Sequence, residues 1–381
     1  MMNARPADVT IHHAAVSGEG VTVQRIAVSV YNIPTDHAEA DGTFAWNSTT
    51  MVLVEASAGD ETGLGYSYTH RAAASLIEHT LADVALGRSA FDVDGTWDAM
   101  LYSIRNIGRP GLVSSAIAAV DIALWDLKAR LLGVPLVALL GAVRDAVPVY
   151  GSGGFTSYSV RQLCQQLSGW VRQGVTRVKM KIGTEPRQDP ERVRAAREAI
   201  GADAELFVDA NGAYHRKQAL AFAELFAESG VSWFEEPVTS DDLDGLRLMR
   251  DRAPAGMEIA AGEYGYDLWY FRRMLDAGAV DVLQADATRC AGITGFMRAG
   301  ALCQARSLPF SAHTAPSVHA HPACALPALR NVEYFHDHVR IERMLFDGAL
   351  EPIHGELRPD KSHPGLGLIL KRADAARFAI R

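Results

Sequence analysis

The sequence predicts a parallel (β/α) barrel preceded by an α+β domain, and three observations lead to this prediction. Eight short apolar segments, separated by amphipathic helices, follow one another between residues 147 and 333. Regular alternation of strand and helix is typical of a parallel barrel, with a doubly wound sheet as the alternative. The preceding residues differ, because strand-like segments come first and helical segments follow. A chain of 381 residues is long enough for both units.

The first domain is predicted to contain three antiparallel strands and three helices. β-Branched and aromatic residues mark the strands, and apolar residues at helical spacing mark the helices. Residues 34–47, between the first two strands, are polar and are predicted to form a surface loop that is either functional or flexible. The predicted strands are residues 21–31, residues 49–55 and the region of Tyr66 and Tyr68, and the predicted helices are residues 72–86, 97–107 and 114–132.

Eight strands are predicted for the barrel. No Gly-x-Gly-x-x-Gly phosphate loop follows any of them, so nucleotide binding is disfavoured. The predicted strands are residues 147–151, 177–182, 205–209, 231–235, 258–261, 282–284, 309–311 and 331–333.

Composition excludes several classes of protein. With 48% hydrophobic and 22% charged residues, the chain resembles an ordinary globular protein. A net charge of −8 argues against nucleic acid as a partner. Four cysteines without a Cys-x-x-Cys pair fit a reducing cytoplasm. Neither a signal peptide nor a membrane span is expected, because Asp121, Asp126 and Lys128 interrupt the most apolar helix.

Ionisable residues stand at the end of almost every predicted barrel strand. In a parallel barrel, the active site lies at the C-terminal ends of the strands. A single carboxylate there is most often a surface charge, whereas seven consecutive strand ends indicate an active site. These residues are Lys179 and Lys181, Asp209 with Asn211, Glu235, Glu263, Asp286, His313 and Glu333.

Three of these carboxylates predict a magnesium site. Asp209, Glu235 and Glu263 follow three consecutive strands, so they are expected to lie side by side. Three carboxylates share a dry pocket only if a cation neutralises them, and an all-oxygen set suits Mg²⁺ better than Zn²⁺. The adjacent Glu236 is expected to face the outside of the barrel if the strand stays regular to its end.

The remaining strand ends predict acid and base groups. Lys179 and Lys181 alternate with Met180, so both are expected to face the barrel interior. Each is expected to lower the pKa of the other, as does a nearby divalent metal, which would suit a base; the alternative is a solvated basic pair. Asp286 is expected to orient the ring of His313 as an acid/base dyad, the alternative being a core histidine.

These motifs, in this order and spacing, resemble the enolase superfamily, specifically its mandelate racemase subgroup. The resemblance covers nearly the whole chain, because the predicted helix around residues 118–128 and the following Leu139-Leu140-Gly141 are similar to the helix before the barrel in that family. The motifs are Lys179-Met180-Lys181, Asp209-Ala210-Asn211, Phe234-Glu235-Glu236-Pro237, Gly262-Glu263, Gln284-Ala285-Asp286, His313 and Glu333.

The resemblance implies a modified TIM barrel, (β/α)₇β, with an N-terminal α+β capping domain. The implied divisions are a cap over residues 1–140, a catalytic barrel over residues 141–350, and a C-terminal segment, residues 351–381, that returns to the cap. A homo-oligomer is also implied.

The resemblance further implies that Mg²⁺ binds a substrate carboxylate and that a base removes the proton α to it. Lys181 and His313, the latter paired with Asp286, would face opposite sides of the α-carbon. Lys179 would help neutralise the carboxylate, and Glu333, ionised or protonated, would hydrogen bond to it. Relatives that lactonise muconate or epimerise dipeptides carry a lysine in place of Asp286, which points away from those activities.

Two bases on opposite sides of the α-carbon allow either racemisation or dehydration. The polarity of residues 34–47 distinguishes between these reactions. Its polar side chains suit a polyhydroxylated small-molecule substrate, which favours dehydration of an acid sugar to a 2-keto-3-deoxy acid over a racemase or epimerase. A sugar-acid-binding barrel without activity and an aldolase-type barrel with a Schiff-base lysine are the alternatives from other classes. The expected substrate-binding residues are Asp36, His37, Trp46 and Asn211.

Overall fold

The computed structural model of the protein describes residues 20–380 and contains an antiparallel sheet, a group of helices and a closed parallel barrel. The predicted fold class is confirmed. The first sheet has the order β15-β1-β2-β3, so β15 (Ala379–Ile380), the last strand of the described residues, pairs with the first. Its first three strands are β1 (Arg25–Ala40), β2 (Ala45–Ala58) and β3 (Glu61–Tyr68).

The helices that follow pack on this sheet. Apolar residues of the longest helix, among them Ile117 and Val120, join Val52 and Val54 of β2 in one buried cluster. The predicted helix at residues 72–86 is interrupted by a π-helical turn. The elements are α1 (Ala72–Leu76), the π-helix Ile77–Leu81, α2 (Ala82–Ala85), α3 (Val93–Ser103), α4 (Leu112–Leu131) and α5 (Leu136–Leu139).

The predicted loop at residues 34–47 is wrong, since most of this segment is a β-hairpin. β1 and β2 continue to pair beyond a register shift between Pro34 and Glu39, and the chain turns only between Ala40 and Ala45. Barrel residues donate hydrogen bonds to the carbonyl oxygens of Pro34, Ala38 and Asp41, and Trp46 packs on a buried aromatic cluster of the barrel. We call residues 34–47 the hairpin.

Eight parallel strands close into the barrel because β4 pairs with β11, which excludes the doubly wound alternative. The strands are β4 (Val147–Gly153), β5 (Arg177–Lys181), β6 (Glu205–Asp209), β7 (Val231–Glu235), β8 (Glu258–Ala261), β9 (Val282–Ala285), β10 (Phe310–Ala312) and β11 (Leu329–Phe335). The helices are α6 (Val160–Arg172), α7 (Asp189–Ile200), α8 (Arg216–Ala227), α9 (Leu243–Arg252), α10 (Leu268–Asp276), α11 (Gly292–Ala305), α12 (Pro316–Ala325) and α13 (His336–Leu345).

The chain after the barrel contacts both units. Strand β13 pairs with β4, β14 pairs with β12, and β15 pairs with β1. The division of the chain at residues 140 and 350 stays a prediction. The elements are β12 (Phe346–Asp347), β13 (Glu356–Leu357), β14 (Ile369–Leu370), α14 (Arg372–Ala375), the 3₁₀ turn Ala376–Phe378 and β15 (Ala379–Ile380).

Asp126 joins the helical layer to the sheet and to the C-terminal segment. Its buried carboxylate accepts hydrogen bonds from the backbone N–H groups of Leu64 and Leu366 and from Arg130. We expect Asp126→Ala to lower the free energy of unfolding by about 3–5 kcal/mol, because it leaves buried donors without an acceptor. Urea denaturation measures this loss.

The matched control is Asp251→Ala. Asp251 also forms an i,i+4 pair with an arginine, Arg247, but the pair is exposed on α9. Such pairs contribute about 0.3–0.5 kcal/mol. Equal losses in the two variants would show that the buried position of Asp126 is unimportant.

Candidate active site

The strand register places the first two predicted metal ligands, Asp209 and Glu235, at the same height in the barrel. Lys181, Asp209 and Glu235 are the last residues of β5, β6 and β7, and they are direct register partners across the parallel sheet. Glu263 follows β8 by two residues, after Gly262. Gly262 has φ +137°, and a β-carbon there would collide with the carbonyl oxygen of Gln284. Glycine therefore allows the chain to approach β9 closely at this point.

The three carboxylates form a compact, buried oxygen cluster. Asp209, Glu235 and Glu263 each offer a ligand atom within 4.8 Å of the others, and their exposed fractions are 0%, 0% and 3%. One oxygen of Glu263 has no hydrogen-bond partner within residues 20–380. A dry set of three carboxylate oxygens is the donor set that Mg²⁺ prefers, so these residues fit the ion.

Two lysines compensate the cluster in the structure. Lys179 Nζ lies 2.5 Å from Glu235, 3.2 Å from Asp209 and 2.9 Å from Glu333. Lys181 Nζ lies 2.5 Å from Asp209 and donates to Asn211 Oδ1 at 3.1 Å. Both lysines face the barrel interior, which excludes the solvated alternative.

The predicted repulsion between the two lysines is present, but the surrounding carboxylates outweigh it and the net shift of both pKa values is upwards. Burial disfavours the charged form of Lys181, but the negative charges of Asp209 and nearby carboxylates outweigh burial and the repulsion from Lys179, so its pKa is raised. The pKa of Lys179 is likewise raised, by Glu235 and Glu333 against its burial. The prediction counted the two ammonium groups and a nearby divalent metal, whereas these raised pKa values come from the carboxylates on the neighbouring strands.

The predicted dyad is present as a contact. His313 Nδ1 lies 2.9 Å from Asp286 Oδ2, and His313 Nε2 lies 3.3 Å from Glu263 Oε2 and 3.6 Å from Glu333 Oε2. Burial opposes protonation of His313, but Glu263 and Glu333 outweigh it and raise its pKa to about 9. Asp286 also accepts from the backbone and hydroxyl of Thr288, which fixes the carboxylate.

Neighbouring charges lower the pKa of Glu333. Its burial would raise its pKa, but the charges of Lys179 and His313 lower the value to about 2. Of the ionised and protonated forms that the resemblance allowed, the structure therefore supports the ionised one.

Glu236 does not face outwards, so that prediction is wrong. The strand ends at Glu235, and Glu236 has a left-handed φ of +40°. Its carboxyl is 1% exposed, and burial, followed by the charges of Glu263 and Asp209, raises its pKa well above the ordinary value. Asn211 and Thr314, which also follow barrel strands, have positive φ values too. Irregular backbone thus redirects side chains at several strand ends.

An aromatic layer supports these charged groups from within the barrel. Tyr150, Phe207 and Trp233 are fully buried and in contact in one cluster. Trp233 Nε1 donates to Glu235 at 3.0 Å, and Lys179 Nζ lies 5.3 Å from the ring centre of Tyr150. The layer excludes water below the site and thereby strengthens the electrostatic contacts above it.

The site opens into a cavity of about 540 Å³ between the barrel and the first domain. Lys181, Asn211, Glu263 and His313 line it together with the hairpin residue Trp46. Sequence reasoning missed several other lining residues. Tyr264 and Thr314 directly follow the recognised Glu263 and His313, and Arg289 lies three residues after Asp286, whereas the others lie farther from any motif. The missed residues include Tyr68, His70, Tyr264, Arg289, Thr314 and His338.

The hairpin tip rests on the ends of the barrel strands. A β-carbon on Gly42 would collide with the carbonyl oxygens of Ile182 and Ala210, so glycine permits this approach. The hydroxyls of Thr156 and Thr184 donate to the carbonyl of Asp41 at 2.9 and 2.6 Å. These contacts hold the tip, including Asp41, at the cavity.

Two of the expected substrate-binding residues lie elsewhere. Asp36 accepts a hydrogen bond from His336 Nε2 at 2.9 Å, and His37 packs edge-on against Tyr158 with ring centres 6.1 Å apart. Neither residue lines the cavity. Trp46 lies at the cavity, where it donates to the buried Glu39 at 2.8 Å.

Helices long and apolar enough to cross a membrane are not found between residues 20 and 380. The predicted absence of a signal peptide concerns residues 1–19, which lie outside the described residues.

Comparison with known families agrees with this architecture. Residues 22–141 match the mandelate racemase / muconate lactonizing enzyme N-terminal domain, and residues 160–375 match the enolase C-terminal domain-like family. The cap, the barrel and its strand-end residues define a protein of the enolase superfamily. Within it, the chain belongs to the mandelate racemase / muconate lactonizing enzyme family, as the resemblance implied.

Two curated relatives carry out different reactions. The 3,6-anhydro-α-L-galactonate cycloisomerase of Streptomyces coelicolor is 30% identical over 94% of this chain and 99% of its own length. The L-talarate/galactarate dehydratase of Salmonella typhimurium is 32% identical over 81% of this chain and 77% of its own length. Family membership therefore includes acid-sugar dehydratases and cycloisomerases.

Two solved structures superpose closely. A mandelate racemase/muconate lactonizing enzyme-like protein from Rubrobacter xylanophilus is 56% identical, with a TM-score of 0.93 over 94% of this chain and all of its own. An L-talarate/galactarate dehydratase variant, solved with Mg and L-glucarate, is 28% identical, with a TM-score of 0.88 over 100% of this chain and 96% of its own.

Proposed function

We propose that this protein removes the proton α to the carboxylate of an acid sugar, with Mg²⁺ as cofactor, and dehydrates the sugar to a 2-keto-3-deoxy acid. The observation that carries the proposal is the pair of groups at opposite sides of the cavity. Lys181 ends β5 and His313 follows β10, and in the closed barrel two strands separate β5 from β10 on one side and four on the other. The oxygen cluster lies between them, with Lys181 against Asp209 and His313 against Glu263.

The proposed cofactor would be held by Asp209, Glu235 and Glu263. When bound there, Mg²⁺ supplies positive charge that holds the substrate carboxylate and stabilises the charge that develops on it. Support comes from the all-oxygen cluster and from the relative solved with Mg and an acid sugar.

The remaining roles follow from contacts of this chain. Asp286 accepts the Nδ1 proton of His313, which leaves Nε2 directed towards the cavity side. Lys181 faces the cavity from the opposite strand. Asp209 and Glu263 raise the pKa values of Lys181 and His313, and both values would fall once these carboxylates hold Mg²⁺. One of the two groups would then take the α-proton, and the other would protonate the departing β-hydroxyl. Lys179 lies deeper, where its charge would offset that of the substrate carboxylate, and Glu333 would fix Lys179 through their 2.9 Å contact.

A screen of acid sugars with Mg²⁺ tests the proposal. We expect at least one acid to lose one water and to give a 2-keto acid that semicarbazide detects. A product of unchanged mass in which a ring has opened or closed would instead indicate cycloisomerisation, which the relative matching 94% of this chain makes the second candidate. A product with inverted α-carbon and no loss of water would indicate a racemase.

The hairpin is proposed to select the substrate through its tip. We expect Trp46→Ala to change the ranking of acid sugars by kcat/KM, because Trp46 lines the cavity. His37→Ala is the matched control, since His37 lies on the same hairpin but away from the cavity. Kinetics with several acids measure both rankings, and an unchanged ranking in Trp46→Ala would remove the tip from substrate selection.

A further inference from the structure

Two polar groups in the cavity wall have no partner in the protein. The hydroxyl of Tyr68 and Nδ1 of His338 are buried and make no hydrogen bond to any group within residues 20–380. Both residues line the cavity. Because buried polar atoms are nearly always hydrogen-bonded in folded proteins, such a pair beside an active site indicates a ligand that completes it.

Packing prevents the two rings from turning away. The rings of Tyr68 and His338 are stacked, with their centres 3.5 Å apart and an interplanar angle of 20°. Phe335 packs edge-on against His338 at 5.1 Å, and Tyr66 packs edge-on against Tyr68 at 5.6 Å. Tyr68 ends β3 in the first domain and His338 lies in the first turn of α13, so the pair is formed only where the two units meet.

A comparison with Tyr66 shows that the lack of a hydrogen-bond partner is specific to the tyrosine that lines the cavity. It precedes Tyr68 by two residues on β3 and is also buried, but its hydroxyl donates to Glu342 at 2.7 Å. Glu342 lies on α13, the helix that carries His338. Within the described residues, the protein thus provides an acceptor for the tyrosine that does not line the cavity and none for the one that does.

Both groups are uncharged. Burial lowers the pKa of the His338 imidazole to about 3, and burial, followed by the charge of Glu342, raises the pKa of the Tyr68 hydroxyl. Neutral imidazole offers one donor and one acceptor, and the phenol adds a donor or acceptor. This combination matches a hydroxyl group, which also donates and accepts.

The cavity also lacks an available permanent cation for a second carboxylate. Of the lysine and arginine side chains that line it in the described part of the chain, Lys181 contacts Asp209 at 2.5 Å and Arg289 contacts Glu263 at 3.3 Å. Arg289 also lies 3.6 Å from Asp286. These contacts place both cations at the reacting end of the cavity, because Lys181 is a proposed proton-transfer group and Arg289 keeps its contact with Asp286 even when Glu263 binds a metal. A second carboxylate at the far end of a substrate would therefore have no cation of its own.

From these observations we infer that Tyr68 and His338 form a subsite for the hydroxyl groups beyond the reacting carbons, and that the substrate is a monocarboxylic sugar acid rather than a diacid. The inference rests on the proposed function, because it assigns the rest of the same cavity. Tyr68 and His338 would determine specificity by binding and would take no part in proton transfer.

The test compares acids of different length on the magnesium-loaded enzyme. The probes are arabinonate and rhamnonate, the diacids galactarate and talarate, and glycerate, which has no hydroxyl beyond the reacting carbons. We expect the wild type to prefer a monocarboxylic sugar acid. Tyr68→Phe and His338→Phe, which keep the stacked rings, should each lower kcat/KM for that acid by about 10- to 100-fold. Exchange of the α-proton of glycerate with solvent deuterium should not change.

Two further variants separate binding from folding. Tyr66→Phe removes a hydroxyl from the same strand and should lower the melting temperature without changing the ratio of kcat/KM between sugar acid and glycerate. His338→Asn keeps a polar group near the position of Nδ1 and should recover part of the loss in His338→Phe. Melting temperature and circular dichroism verify that each variant is folded.

The outcomes are distinguishable. An unchanged ratio in both Tyr68→Phe and His338→Phe, or a wild-type preference for a diacid, would overturn the subsite while leaving the proposed function in place. A wild type that neither exchanges the α-proton nor releases water from any of the five acids would count against the proposed function and would remove this inference with it.

Discussion

Removing the divalent metal is expected to abolish turnover. Metal-ion catalysis is worth several kcal/mol of transition-state charge stabilisation, so an excess of EDTA should lower kcat by more than about a thousandfold. Added Mg²⁺ should restore the activity. Without a cation, Asp209, Glu235 and Glu263 are paired instead with Lys179, Lys181, Arg289 and His313, which leaves the substrate carboxylate without a binding site.

Glu235→Gln tests the same site within the chain. A neutral amide replaces one of three anionic ligands, so Mg²⁺ affinity should fall by at least about tenfold, measured by calorimetry. Glu236→Gln is the matched control, because Glu236 is adjacent and equally buried but lies outside the three-carboxylate set. Equal weakening in the two variants would mean that a general disturbance of this strand end, and not the loss of Glu235 as a ligand, lowers the affinity. Full turnover in excess EDTA would contradict the metal site altogether.

Replacing His313 with asparagine is expected to lower the rate by about 10² to 10⁴-fold, the usual contribution of a general acid or base. Lys181→Ala should have an effect of the same size. Because the two groups lie on strands at opposite sides of the cavity, each variant should lose exchange of the α-proton for one stereoisomer and keep it for the other. Proton NMR in deuterium oxide, with both isomers of one acid, measures the four rates.

His321→Asn serves as the control for His313. His321 is fully buried on α12, yet it does not line the cavity. We expect its exchange rates to equal those of the wild type once the variant is shown to be folded. If Lys181→Ala and His313→Asn both kept wild-type rates with every acid that the enzyme uses, neither residue would be a base, and the proposed chemistry would be wrong.

The barrel and the residues at its strand ends could be read from the sequence. Strand and helix alternate along the chain, and residues that follow the strands of a parallel barrel lie together at one end of it. The position of a residue in this alternation therefore predicts where it lies in the barrel. For this reason the sequence predicts that Asp209, Glu235, Glu263, Asp286 and His313 lie together, and the structure brings them together.

Features that depend on residues distant in the chain could not be read in this way. The pKa values of Lys179 and Lys181 are raised because carboxylates from other strands surround them, and Glu236 turns inwards because its backbone leaves the strand. The polarity of residues 34–47 predicts a loop, although the segment is a hairpin whose polar groups bind the barrel.

The sequence by itself determined the fold class, the family and the set of ionisable strand ends, since each of these follows from a local pattern repeated at regular intervals. Only the tertiary structure decided the charge state of that set, the position of the hairpin tip and the pairing of Tyr68 with His338. The physical reason is that charge states and contacts are set by what surrounds a side chain, and here the neighbours come from different strands and from both ends of the chain.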